Sequence, residues 1–211
     1  MRPHPIIPIQ EARMQDQTVR IGLAGLGTVG SGLAEIIRTN GEWIARRMGR
    51  QLSIGAVLVR DKAKKRETPP PPEARLTDYM EELVQNPDLD IVVELIGGEE
   101  DAYRLITRAL EEGKSVVTAN KALLAERGPE LFRLAKDKGV GLYYEASVAG
   151  GIPIVKTLKE SLAGNRISSL TAILNGTANF ILSEMTSRGI SYQEALSQAQ
   201  ELGYAEADPA L

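Results

Sequence analysis

No cysteine occurs among the 211 residues. Disulfides, cysteine-ligated zinc and thiol nucleophiles are thereby excluded, and the chain suits a reducing, cytoplasmic compartment. Histidine is nearly as scarce, the one example being His4 near the N-terminus. A Ser-His-Asp triad or a histidine general base is set aside, and acid–base work falls to Lys, Asp, Glu or Tyr. No apolar run approaches the ~18–20 residues that cross a bilayer, so no membrane association is expected. Residues 1–17 lack the apolar core of a signal peptide and carry three prolines, so the chain up to residue 18 reads as a loose extension. A net charge of −3 gives no electrostatic case for nucleic acid as a partner. No repeat at solenoid spacing is present.

What the chain does contain is enough apolar residue, 43%, for a packed core, and an organising stretch at residues 21–32, IGLAGLGTVGSG. Residues 19–23 are short, apolar and β-favouring, as for a strand buried on both faces. Gly25-Leu26-Gly27-Thr28-Val29-Gly30 then carries the G-x-G-x-x-G spacing, with a helix expected from Val29. Strand, glycines and helix in that order are the context of a dinucleotide fingerprint. Gly25 permits the tight turn, Gly27 lets a pyrophosphate approach the backbone, and Gly30 lets helix and strand pack closely. The phosphates sit on free N–H groups at the helix N-terminus. The bland alternative is a glycine-rich turn that holds no ligand.

Downstream, the first helix is expected over residues 29–48, with Leu33, Ile36, Ile37 and Ile44 inward. A second strand is expected at 52–59, then a charged loop at 61–75 holding four successive prolines. A short helix at 79–85 precedes a third buried strand at 90–96, ending at Gly97-Gly98. A helix follows at 100–112, stopped by Gly113. Strand four is expected at 115–118, a helix at 129–138 and strand five at 141–145. Strands alternating with helices indicate an α/β fold, a Rossmann-type doubly wound parallel sheet, over residues 19–150. Residues 151–211 differ in character. They read as a helix at 152–162, a strand at 167–174, a helix at 177–187 and a last helix at 192–202 capped by Ser191 and Glu194. One strand with three helices cannot make a sheet domain alone, so this part is expected to be the start of an α+β domain.

At the tip of strand two, an NAD site usually places Asp or Glu, whereas an NADP site often carries an arginine. Arg60 stands there, followed by Asp61, Lys62, Lys64, Lys65 and Arg66. An arginine fork suits a 2′-phosphate. NADP is therefore preferred over NAD without excluding it, since Asp61 can serve an NAD ribose; a solvated basic loop is the bland alternative. Gly97-Gly98 and Thr118-Ala119-Asn120-Lys121 follow strands three and four and face the crevice beyond the sheet's carboxyl edge. There the Lys121 ammonium can meet the cofactor amide or a substrate oxygen, or be an ordinary surface charge. In the irregular loop at 145–153, several carbonyls can converge with the Glu145 carboxylate on a hard cation, or the loop is simply a hinge. Asn175-Gly176-Thr177 offers N–H groups and polar side chains to a carboxylate. Glu206 can bind a substrate ammonium or end a helix.

These stretches together resemble homoserine dehydrogenases. The matching segments are GLGTVGSG at 25–32, VVELIGG at 92–98, VVTANKALLA at 116–125, EASVAGGIPIVKTL at 145–158, LNGTANFIL at 174–182 and AQELGYAEADP at 199–209. The resemblance implies NAD(P)-dependent interconversion of L-homoserine and L-aspartate 4-semialdehyde, in threonine and methionine biosynthesis, by a homodimer. It implies that the glycine loop, Arg60, Lys62, Gly97, Thr118 and Lys121 serve the cofactor. Glu145 and the carbonyls of Val148, Gly150 and Ile152 are implied as holders of a sodium ion, and Asn175, Gly176, Thr177 and Glu206 as binders of the amino-acid end of homoserine. The family's principal catalytic aspartates and proton-relaying lysine lie past the point matching Leu211. The expectation is therefore a fragment that binds cofactor and turns homoserine over barely or not at all, with Lys121 in a supporting role. Among rivals, aspartate-semialdehyde dehydrogenase needs a cysteine, and the glucose–fructose oxidoreductase type expects Glu-Lys-Pro where Asn120-Lys121-Ala122 stands. A non-catalytic dinucleotide-binding module is the answer from another class.

Overall fold

The computed structural model describes residues 18–66, 68–173 and 175–205. The expected N-terminal extension, save Thr18, and Glu206 lie outside the described residues. Two compact units divide between Ser147 and Val148.

The first unit runs β1 (Thr18–Ala24), α1 (Thr28–Met48), β2 (Gln51–Leu58), β3 (Arg75–Thr77), α2 (Glu81–Val84), β4 (Ile91–Glu94), α3 (Glu100–Glu111), β5 (Ser115–Thr118), α4 (Lys121–Lys138) and β6 (Leu142–Tyr143). The six strands form one parallel sheet in the order β3-β2-β1-β4-β5-β6. The chain winds outward from β1 to β3, then returns to place β4 on the other side of β1. That reversal opens a crevice at the carboxyl ends of β1 and β4, where ligands of such sheets bind.

Period-two alternation sends successive residues to opposite faces. Ile21, Leu23, Ile54, Val57 and Val93 meet Ala34 of α1 on one face. Ala24, Ala56, Leu58, Val92 and Val116 meet α2, α3 and α4 on the other, where Leu83, Leu105, Ile106, Leu110 and Leu123 are wholly buried. Each such side chain contributes about 1.5–3 kcal/mol by leaving water. Two glycines shape this second face. A Cβ on Gly22 would lie 2.9 Å from Leu89 Cδ1 and 3.1 Å from Leu83 Cγ, and one on Gly55 would lie 2.9 Å from Leu89 Cδ2. Leu83 and Leu89 therefore rest directly on the sheet backbone.

Several expectations need correction. Ile36 is exposed, not inward: Gly30, Ala34 and Ala45 are the buried positions of α1, with Leu33, Ile37 and Ile44 half-buried beside them. Ile36 stands about 200° around the helix from Ala34, at 100° per residue. The charged loop ends earlier than expected because Arg75–Thr77 pairs with β2. The fourth helix starts at Lys121, not at residue 129, because Asn120 caps it by accepting the Leu123 N–H at 3.1 Å. Pro129 lies inside the helix, where its absent N–H removes one rung of the ladder. Glu145, expected at the end of strand five, instead begins a 3-10 turn, Glu145–Ser147.

The second unit holds α5 (Ile154–Lys156), continued by a π-helical stretch Thr157–Ser161, then α6 (Gly176–Arg188) and α7 (Tyr192–Glu201). The strand expected at 167–174 is absent among the described residues. They pair with no other strand, and Ile167, Leu170 and Ile173 are exposed. A strand needs a ladder partner for its backbone groups, whatever its side-chain pattern. α6 and α7 pack as a hairpin around Ile181, Ala195 and Ala199. Ser191 caps α7 as expected, with reciprocal bonds of 3.3 Å to and from Glu194.

Candidate functional site: a crevice at the carboxyl edge of the sheet

A crevice of about 680 Å³ opens where the sheet reverses direction, lined by Gly25, Leu26 and Gly27 on one wall and by Leu95, Ile96 and Gly97 on another. Gly25 adopts φ +99°, and a Cβ there would fall 2.4 Å from the Leu95 carbonyl oxygen. Its N–H donates to the Leu58 carbonyl at 2.9 Å, while the Leu95 N–H donates to Ala24 at 2.8 Å. The turn is thus fixed between β2 and β4. Gly30 packs as tightly, since its Cβ would meet the Gly25 carbonyl oxygen at 2.1 Å. Gly27 differs: a Cβ there would meet nothing within 4 Å. It leaves open room beside the α1 N-terminus, which carries no side-chain cap and no acidic residue in its first turn. Thr28 and Val29 begin that helix and are exposed. Unpaired N–H groups and the positive helix end there favour an anion.

At the end of β2, Arg60 lines the crevice with Lys64 and Arg66. Arg66 donates to the carbonyls of Asp61 at 2.6 Å and Lys64 at 2.9 Å, curling the basic loop on itself. Asp61 accepts the Ala63 N–H at 2.8 Å, so its carboxylate caps its own turn. Lys62 bonds Asp78 at 2.7 Å and lies over the Tyr79 ring. That hydrogen bond holds the Lys62 ammonium above its ordinary pKa and the Asp78 carboxyl below its own. Asp78 itself borders the crevice, whereas Lys62 reaches it only through this pairing.

The other end of the crevice is built at β4 and β5. Gly97 and Gly98 both take positive φ, at +70° and +73°. The Asn120 side-chain amide donates to the Gly98 carbonyl at 2.6 Å, joining this turn to the start of α4. Lys121 is the first residue of α4 and is exposed. Thr118 is fully buried, and its hydroxyl donates to Glu94 at 2.5 Å. Sequence reasoning misses Glu94. The available signal is a carboxylate inside an otherwise apolar strand, a group that must find donors when buried. Asp78, Met80, Asp101 and Arg104 also line the crevice unanticipated, because their placement depends on how α2 and α3 dock.

Glu145 opens the 3-10 turn that closes the first unit. In the second unit, Ala149 and Gly150 both have φ +58°, and the Ile152 carbonyl accepts the Ile154 N–H at 2.8 Å. Among the described residues no three His, Cys, Asp or Glu side chains come together. Any cation on this loop would thus rely on carbonyl oxygens for most of its ligands. Asn175 caps α6 by accepting the Ala178 N–H at 2.9 Å, ahead of Gly176. The Thr177 hydroxyl donates to the Tyr204 carbonyl, and the Tyr204 ring meets Phe180 edge-on at 5.1 Å. The helix start is thereby tied to the segment that leads to Glu206.

Comparison with known proteins agrees with this geometry. A family model described as the NAD-binding domain of homoserine dehydrogenase matches residues 25–145, and a second, homoserine dehydrogenase, matches residues 153–211. Homoserine dehydrogenase of Neisseria gonorrhoeae is 51% identical over 191 residues, covering 90% of this chain and 43% of that protein. The Synechocystis enzyme is 52% identical over 197 residues, covering 91% and 44% respectively. The chain thus spans less than half the length of these relatives. Among solved structures, a homoserine dehydrogenase from Thiobacillus denitrificans superposes with a TM-score of 0.83 at 48% identity, over 92% of this chain and 44% of that one. A hyperthermophilic archaeal homoserine dehydrogenase in complex with NADPH gives 0.74 at 31% identity, over 92% and 64%. With both family models matched in order and the fold shared, the chain belongs to the homoserine dehydrogenase family.

Proposed function

We propose that the crevice binds NADP in preference to NAD, and that the chain serves the interconversion of L-homoserine and L-aspartate 4-semialdehyde. The observation that carries this reading is the unfilled space at Gly27, beside an uncapped helix N-terminus at the sheet's switch point. When bound, the nicotinamide cofactor supplies the hydride chemistry. The chain's own residues bind and orient. Gly25 to Gly30 cradle the diphosphate, Arg60 holds the 2′-phosphate, and Gly97 and Lys121 border the nicotinamide end. Lys62 adds positive potential from beside Asp78.

For the substrate, Gly176 offers the N-terminal amides of α6 to the carboxylate, with Asn175 and Thr177 fixing that turn and Glu206 receiving the ammonium. The bond from Thr177 to Tyr204 supports this grouping, since it draws the two recognition segments together within the second unit. A sodium ion held by Glu145 and the carbonyls of Val148, Gly150 and Ile152 is part of the same reading, as are a homodimer for the full-length enzyme and a cytoplasmic location. Among the described residues no helix is long and apolar enough to cross a membrane.

Titration with NADPH and NADH, followed by cofactor fluorescence, tests the cofactor assignment. Arg60→Asp should weaken NADPH by about 10- to 100-fold, the loss of charge-assisted bonds to a phosphate, and change NADH far less. Unchanged NADPH affinity removes Arg60 from the site. Failure of the unaltered protein to bind either nucleotide removes the whole reading.

A further inference from the structure

We propose that Glu94 is a positioning residue for the nicotinamide half of the dinucleotide, acting through Thr118 and the two turns that flank it. This rests on the cofactor reading above. Glu94 ends β4 and is 1% exposed. Its Oε1 accepts the Ile96 N–H at 3.0 Å, and its Oε2 accepts the Thr118 hydroxyl at 2.5 Å. Both donors are uncharged. For stability alone, apolar residues at 94 and 118 together would serve comparably, because a buried carboxylate keeps a desolvation cost. Its effect lies in what it aligns.

Glu94 and Thr118 are direct partners in the register of β4 with β5. Thr118 gives its only hydroxyl proton to Glu94, which leaves a lone pair for the Asn120 N–H at 3.0 Å. Asn120 then returns across the gap to the Gly98 carbonyl. The result is a closed hydrogen-bonded ring from the β4–α3 turn to the β5–α4 turn. Ile96 and Gly97, on the first turn, line the crevice, while Lys121 follows directly on the second. The Thr118 carbonyl also accepts the Ser147 hydroxyl at 3.0 Å, which ties a third segment to the ring. With both Glu94 oxygens accepting, the Thr118 hydroxyl donates to one of them and so presents a lone pair to Asn120. In glutamine the amide oxygen can keep the Ile96 N–H, but the amide nitrogen then faces Thr118 as a donor, and the Thr118 hydroxyl proton loses its acceptor.

Position along the sheet separates this ring from the adenosine end. In the order β2-β1-β4-β5, Arg60 follows β2 and the glycine turn follows β1. A dinucleotide laid across that edge with its 2′-phosphate at Arg60 brings its nicotinamide over β4 and β5.

The test compares NADPH with 2′-phospho-ADP-ribose, which lacks the nicotinamide, on the full 211-residue chain. Glu94→Gln and Thr118→Val should each weaken NADPH about tenfold, as for a buried hydrogen bond to a charged group. Both should leave the fragment within about twofold, the range expected where no contact is altered. Thr118→Ser, which keeps the hydroxyl, should recover NADPH affinity relative to valine. The double variant should be no worse than either single one, because the two residues act as one unit. Unchanged NADPH affinity overturns the proposal, and so does an equal loss of both ligands, which signals a general disturbance of the domain. If Glu94→Gln does not fold, the contrast between valine and serine at 118 decides by the same criteria. An unaltered chain that binds neither ligand defeats the cofactor reading itself, and this inference with it.

Discussion

Replacing Gly27 by alanine adds one methyl group at the place where the crevice meets the α1 N-terminus. The fold should accept it. Backbone torsions of φ −89° and ψ −158° suit any residue, and the new Cβ meets nothing within 4 Å. Alanine is a poorer N-cap than glycine by up to about 1 kcal/mol, but it also reduces unfolded-chain entropy by about 0.4–1 kcal/mol. The two effects nearly cancel. Binding should not accept it with the diphosphate placed as proposed, because the methyl would then lie on its line of approach to the helix amides. Forfeiting one or two charge-assisted bonds of about 1.5–3 kcal/mol each weakens NADPH by at least about tenfold. Gly25→Ala provides the opposite case. Its φ of +99° and the 2.4 Å approach to the Leu95 carbonyl oxygen are both intolerable to a Cβ, so stability should fall by about 2–4 kcal/mol. Thermal melts and NADPH titrations on both variants separate the two roles. Normal NADPH affinity in Gly27→Ala would refute the placement of the diphosphate.

Two further predictions concern stability away from the crevice. The Glu99 carboxyl is hydrogen-bonded to Glu126, which raises its pKa above the ordinary 4.5, with Glu126 charge repulsion adding to the rise. A raised carboxyl pKa contributes stability below the unfolded value, and that stability is lost as pH climbs through the folded value. Glu126→Gln keeps a donor for Glu99 without the repulsion, so its melting temperature should exceed that of the unaltered protein increasingly as pH rises from about 4.5 to about 7. A constant difference across that range contradicts this account of Glu99. Ser191→Ala removes the capping box of α7 and should cost about 1 kcal/mol. Amide exchange should locate that loss in the α6–α7 hairpin, with NADPH affinity unchanged.

Legibility in the sequence follows the range of the forces involved. Gly25, Gly27 and Gly30, the Ser191–Glu194 box and the strand at Ser115–Thr118 are specified by neighbours within a few residues, and each stands where its pattern places it. Pro129 misleads because proline suits the first turn of a helix, whereas here the Asn120 cap starts the helix about two turns earlier. The apolar residues at 167–173 match a strand, but pairing is decided by a partner and not by propensity. β3, only three residues long, is defined by its ladder with β2. Glu94 is hidden for a similar reason: its donors stand two residues and 24 residues away, and only the sheet register unites them.

Gly22 and Gly55 leave a bare floor on one face of the sheet, and Leu83 and Leu89 settle into it. Because α2 can lie that low, the stretch just before it, with Asp78 and Met80, reaches the rim of the crevice. A larger residue at Gly22 would press on Leu83 and so lift α2, drawing that rim away from the rest of the crevice. The width of the crevice is thus set partly from beneath, by a glycine that lines none of it.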